Sequence, residues 1–322
     1  MRIKLATILT VVAGLALTGC SPSSSSSNEP AVSSTSSAPD AAVFAHPNIE
    51  GLEIEFAKQP ENIVMDCYAY STLNEYGFKP SAIFGYQCDD PTVMDGVDTT
   101  GIEQIGTDGE IDLEKLAQLK PDAIVGFGTA DGWQWFKEDV NAQLTRVAPF
   151  VPLPSGDTID EGIANVRELA DFLGADLGDT NITQADKDFE AAKKNFTEAV
   201  SEKDLTFLLA SPTQEMLYTR AGGPHALLLE QLGATLAGPT EGHEGGPWAW
   251  IAWEQASQYP ADVMLVEQYD ENPFTAELWD ALPSVKAGQL YDWNSKGALT
   301  SRHYADWLDG LTEKVKTFNK VV

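Results

Sequence analysis

Residues 112–128 read DLEKLAQLKPDAIVGFG. Leu113, Leu116, Ala117 and Leu119 fall largely on one face of a helix, and Pro121 ends it because proline has no amide hydrogen to continue the ladder. Residues 122–128 then form the continuous apolar run expected of a strand buried on both faces. A helix leading straight into such a strand is a building unit of a parallel sheet, because only a crossover returns the chain to the same end of the sheet.

Outward from that unit the alternation continues. NIVMDC (62–67) is an apolar run, a helical stretch around Leu73 closes at Gly77, and SAIFGYQC (81–88) is a second run. Between 158 and 174, Ile159, Ile163, Val166, Ala170 and Leu173 recur at helical spacing, followed by a charged helix over about 184–202. Strand and helix then resume: an apolar run at 205–210, a helix at 226–232, ADVMLVE (261–267) as a strand, and a closing helix at 304–320. The expected fold class is α/β, with two lobes carrying parallel-type sheets and a long helical segment joining them.

Arg2 and Lys4 precede an apolar stretch over 5–17, which is too short to span a bilayer. It closes on Leu17-Thr-Gly-Cys20, which resembles the bacterial lipobox; Cys20 would receive a diacylglycerol and become the anchored N-terminus. The serine- and proline-rich stretch that follows cannot build a core and reads as a tether. The expected organisation is a leader at 1–19, anchored cysteine and tether at 20–48, a first lobe at 49–153, a bridging helix at 154–178 and a second lobe at 179–322. The chain is expected to act as a monomer at the outer face of the cell membrane.

With 20 Lys and Arg against 49 Asp and Glu, the net charge is −29, a repulsive field for nucleic acid and for anionic lipid surfaces. Cys67 and Cys88 remain once Cys20 is used, and an exported pair at the ends of two successive strands is most simply a disulfide. His46, His225, His243 and His303 stand singly and no cysteine has a ligand-spaced partner, so neither metal site nor cofactor is expected. GFGTADG (126–132) misses the dinucleotide spacing by one residue, and neither a nucleophile elbow nor a phosphate-binding loop occurs. The protein is therefore read as a non-enzyme. A secreted hydrolase is the alternative from another class, which turnover of an ester or glycoside would favour.

Several segments, in order, resemble the substrate-binding lipoproteins of iron–siderophore, haem and cobalamin ABC importers. They are Pro60-Glu-Asn-Ile-Val, Leu113-Glu114 through Leu119-Lys-Pro-Asp-Ala-Ile-Val, Trp253-Glu-Gln through Tyr259-Pro-Ala-Asp-Val, and Leu282-Pro-Ser-Val-Lys-Ala-Gly-Gln-Leu-Tyr. The resemblance implies a ligand cleft between lobes joined by one long rigid helix, for which 158–174 is the candidate. It implies that Glu114 and Glu254 meet the two subunits of an ABC permease dimer. It also makes Trp293 and Arg302 weaker ligand candidates.

Ligands of open parallel sheets sit beyond the C-terminal ends of the strands, which selects Tyr68, Tyr70, Tyr86, Trp133 and Trp135. In GGPWAWIAWEQ (245–255), Trp248 and Trp250 are two apart and share a face of an extended segment, while Trp253 is expected to pack inside. Trp248 and Trp250 are expected to form an aromatic wall opposed by Trp133 and Trp135. Arg220, before a glycine pair, is the candidate donor to iron-bound oxygens. The expected ligand is a ferric siderophore, hydroxamate in preference to catecholate because clustered cations are few. Haem or a corrinoid is the alternative, with Tyr68, Tyr70 or His225 as axial candidates.

Overall fold

The computed structural model describes residues 41–322 except 87, 221 and 268–275. The leader at 1–19, Cys20 and the tether up to residue 40 lie outside the described residues. Two sheets organise the rest. The first runs Phe150–Pro152, Ala123–Gly126, Ile63–Asp66, Ala82–Phe84, Glu103–Gln104, and every neighbour is parallel. Helices lie between its strands, including Cys67–Leu73 and Leu113–Leu119, so its central strands are buried on both faces. Asp112 caps Leu113–Leu119, and Lys120 ends it in the left-handed region just before Pro121.

The second sheet runs Trp248–Ala252, Met216–Arg220, Thr206–Pro212, Val263–Glu267, Leu290–Trp293, with Thr235–Leu236 beside the start of Thr206–Pro212. Its core strands are parallel, but Met216–Arg220 and Trp248–Ala252 are antiparallel additions. The cause is local. Thr213 exchanges three hydrogen bonds with Met216, folding the chain back as a hairpin instead of sending it through a crossover helix. This addition puts Trp248 and Trp250 on an edge strand.

Ile159–Phe172 packs Ile159 and Ile163 into the second-lobe core, and Val166, Leu169 and Ala170 into the first-lobe core. Thr180–Lys203 does the same in the opposite order, with Ile182 in the first core and Phe189, Ala192 and Phe196 in the second. The connection is thus a pair of helices, where the sequence suggested one; Gly174, at φ +96°, turns the chain between them. Thr180–Lys203 also packs along Ser301–Thr317, both burying residues in the same core.

The described chain also begins earlier than composition suggested. Ala42–Ala45, assigned to the tether, pairs antiparallel with Glu53–Phe56. Phe44 and Phe56 close on Phe172, with ring centroids 5.2 and 5.5 Å away, at the end of the first bridging helix. Two aromatic rings supply the burial that the serine-rich composition hid. Elsewhere the lobes touch through Asp95 and His303, 3.0 Å apart, and through the Leu299 amide, which donates to the Thr72 hydroxyl.

Candidate functional site

Asp66 ends the Ile63–Asp66 strand and caps the helix Cys67–Leu73. Its Oδ1 accepts from the Ala69 amide, and its Oδ2 accepts from the Phe127 amide and from Trp133 Nε1, each at 2.7 Å. Burial pushes its pKa up to about 6, against the pull of these donors. The indole held this way is fully buried. A Cβ on Gly85 or on Gly126 would come within 3.2 or 3.1 Å of the Trp133 ring, so both glycines leave room for it.

Trp133 is therefore a support of the first-lobe wall, not its surface. The expectation that it opposes the second-lobe tryptophans fails because its N–H is drawn inward to a carboxylate 67 positions away. The rings outside it form the surface: Tyr86 stacks on Trp133 at 5.7 Å and Trp135 stacks on Phe127 at 5.3 Å, all but Trp133 half-buried. Tyr68 is buried beside Phe127 and Trp135, and burial, then the charge of Asp66, raises its phenol pKa. Tyr70 is turned into the core and donates to the Asp98 carbonyl, which removes it from the wall. Close by, the sulfurs of Cys67 and Cys88 meet, with Cα atoms 5.3 Å apart.

In the second lobe, Trp248 and Trp250 share one face of their strand while Ala249 and Ile251 fill the other. Trp250 is 52% exposed, with one ring face stacked on His243 at 3.7 Å. Arg220 pairs with Trp248 across the ladder and lies 4.7 Å from its ring centroid. Trp253 is buried and donates to the Thr213 carbonyl. Trp293 is buried behind Trp248, 5.9 Å between rings, and so sits a layer deeper than expected. Arg302 is drawn away altogether, because the first turn of its helix faces Asp188 on Thr180–Lys203 at 2.7 Å.

A recess of about 280 Å³ is lined by Ser211, Tyr218, Trp248, Trp250, Glu267 and Lys296. Burial lowers the Lys296 pKa, with Glu267 pulling the other way. Phe127, Glu267 and Lys296 escaped the sequence reading. Phe127 follows the buried strand Ala123–Gly126 and Glu267 ends Val263–Glu267, so the strand-end rule, applied to every strand, finds both. Lys296 has no such signal.

A smaller recess of about 160 Å³ takes Asp95 from the first lobe and His225, His303 and Tyr304 from the second. His225 Nε2 lies 3.0 Å from the Tyr304 hydroxyl, and burial, then Arg220, lowers its pKa to about 3. Of the three axial candidates for haem, Tyr68 and Tyr70 are buried, Tyr70 donating to the Asp98 carbonyl, and His225 is buried with its Nε2 against the Tyr304 hydroxyl. Among the described residues no group of three or more His, Cys, Asp or Glu side chains is placed to hold a metal, and no helix is long and apolar enough to cross a membrane.

Glu114 and Glu254 are both exposed, each in the first turn of a short helix that leads into a sheet strand of its lobe. Such a helix runs back toward the strand's start, which places its N-terminus level with the strand's C-terminal end, on the cleft side of the sheet.

Residues 89–296 match the family described as periplasmic binding protein. The chain belongs to that family. Periplasmic binding proteins are receptors for substrates outside the cytoplasm, not enzymes. The chain is 26% identical over 199 residues to the Fe(3+)-citrate-binding protein YfmC of Bacillus subtilis (strain 168), a match spanning 58% of this chain and only 58% of that relative. Among solved structures, DesE, a ferric-siderophore receptor protein from Streptomyces coelicolor, shares 25% identity at a TM-score of 0.77, covering 87% of this chain and all 100% of that one. The triscatecholate siderophore-binding protein FeuA of Bacillus subtilis, complexed with ferri-bacillibactin, covers 87% of this chain and 99% of its own at a TM-score of 0.65; at 18% identity it shows the shared fold. These neighbours agree with a periplasmic binding protein of two lobes joined by long helices.

Proposed function

We propose that this periplasmic binding protein is the lipid-anchored capture subunit of an ABC importer, holding a ferric siderophore of hydroxamate type for iron uptake. The observation that carries this reading is that each lobe carries an aromatic surface, Tyr86, Phe127 and Trp135 on one and Trp248 and Trp250 on the other, with Arg220 laid against Trp248. An ion already wrapped in its chelator asks for flat apolar contact and a few donors, and not for metal ligands. The ferric-siderophore and ferric-citrate names of DesE and YfmC support the same class. Charge favours hydroxamates. The described recess holds Lys296 beside Glu267, with Arg220 against the Trp248 ring, too little positive charge for a triply anionic catecholate. Tryptophan-fluorescence titration with ferric trihydroxamates, a ferric triscatecholate, ferric citrate, haemin and cobalamin tests this. A catecholate binding more tightly than every hydroxamate at physiological salt sinks the hydroxamate assignment.

Cys20 supplies the anchor in this reading, and Cys20→Ala is expected to release the protein from membranes. Glu114 and Glu254 supply the docking contacts, one per lobe for one permease subunit each. Their position level with the strand ends supports this, although a carboxylate in a first turn also gains about 0.3–1 kcal/mol from the helix dipole. Reversing both to Arg is expected to leave ligand affinity within about threefold while cellular import collapses. Normal import by that double variant refutes the docking role.

A further inference from the structure

Glu267 is 3% exposed at the end of its strand. Its Oε1 accepts from the Ser295 amide at 3.0 Å and from the Ser295 hydroxyl. Its Oε2 is buried with no hydrogen-bond partner among the described residues. Leaving a buried polar group bare costs about 1–3 kcal/mol and more when it is charged, yet this side chain lines the aromatic recess beside Trp248 and Trp250. The surroundings deepen the asymmetry. Burial raises the Tyr68 phenol first, and then the charges of Asp66, Glu267 and Asp90 raise it further, so the charge of Glu267 reaches across to the first lobe. Arg220 and Lys296 answer only part of that charge. The walls add to it, because the faces of indole and phenol rings attract cations.

We infer that Glu267 is a specificity-determining residue: its unpartnered oxygen receives a protonated amine carried by the ferric chelate, so the protein selects amine-bearing over neutral or anionic complexes. This rests on the hydroxamate reading above and names the group on the ligand that the site recognises. Ser295 fixes one carboxylate oxygen and thereby aims the other, while the tryptophans hold the apolar body of the chelate. The ammonium meets the one carboxylate oxygen that Ser295 leaves without a hydrogen bond among the described residues.

The test compares two probes with the same iron-binding shell, ferrioxamine B with its terminal ammonium and its N-acetylated derivative without it. Both are titrated into the purified protein and into Glu267→Gln, which keeps the side-chain shape and an acceptor for Ser295. The wild-type protein is expected to bind the ammonium form at least about tenfold more tightly, the lower end for a hydrogen bond to a charged group. In Glu267→Gln the two affinities are expected to fall within about twofold, the N-acetyl form keeping its wild-type value. Equal wild-type affinity for the two probes overturns the inference without touching the hydroxamate reading, and that arm needs no variant to fold. A preference that persists in Glu267→Gln also overturns it. Failure of both ferrioxamines to bind overturns the hydroxamate reading, and this inference with it.

Discussion

Trp133 of the first lobe and Trp250 of the second both belong to the aromatic clusters of their lobes, yet one is 0% exposed and the other 52%. The difference lies in what holds each ring. Trp133 is fixed by a buried carboxylate that also fixes Phe127 and caps a helix, so one side chain sets the shape of a whole wall. Trp250 stands on an added edge strand, steadied by His243 and Tyr218, and the recess it lines includes a buried Glu267 oxygen with no hydrogen-bond partner among the described residues. In the function proposed above, this difference divides the labour: the first lobe would present a fixed surface, and the second would read the chemistry of what lies on it.

The sharpest way to break this contrast is Asp66→Asn. Asn keeps one acceptor oxygen and turns its NH2 toward either the Ala69 amide or the Phe127 and Trp133 donors, and the loss is expected to be about 3 kcal/mol or more of stability in urea unfolding. A loss below about 1 kcal/mol would show that the first wall does not hang on Asp66. Removing the covalent brace comes next. Replacing Cys67 and Cys88 by serine, 21 residues apart, is expected to cost about 3 kcal/mol if the bridge forms, while ligand affinity stays within about threefold. An unchanged melting temperature would place no bridge there.

A crossed pair of substitutions then separates the walls. Trp133→Phe is expected to cost about 1–2 kcal/mol of stability by removing one donor to a charged group. Trp250→Ala is expected to leave stability within about 0.5 kcal/mol and to weaken ligand binding by about tenfold or more. If Trp250→Ala unfolds the protein more than Trp133→Phe does, the division of labour is wrong.

The smallest effect is in pH. The folded-state pKa of Asp66, about 6, lies above its ordinary value of 3.8, so between those values the fold binds a proton that the unfolded chain does not. Its contribution to stability therefore grows as pH falls through that window. The stability gap between wild type and Asp66→Asn should widen by roughly 1.4 kcal/mol per pH unit within it, and unfolding curves at pH 7 and pH 5 measure this. A gap that narrows instead would put the carboxyl's pKa below its ordinary value.

Local pattern carried much of the architecture. The apolar spacing of residues 113–119, the stop at Pro121 and the run after it produce the observed helix and parallel strand, and the two-residue alternation at Trp248 and Trp250 places both on one face. What the sequence hid was set by partners far along the chain. Trp133 turns inward because of Asp66, Arg302 turns outward because of Asp188, and Phe44 becomes a strand residue because Phe172 is there to receive it. Thr180–Lys203 looked like part of one lobe because helical spacing says which face is apolar and nothing about how many cores that face visits.

Because Ile159–Phe172 and Thr180–Lys203 each insert side chains into both cores, the lobes cannot swing apart without shearing two apolar seams together. A cleft held this way is near its loaded shape before anything arrives, so little free energy goes into reorganisation. Uptake then becomes a problem of encounter. Association of preorganised surfaces runs at about 10⁵–10⁷ M⁻¹s⁻¹ and quickens when opposite charges steer the approach. If the ligand is the cationic chelate proposed above, a chain of net charge −29 draws it inward from solution, and added salt would slow its arrival without altering a single contact in the cleft.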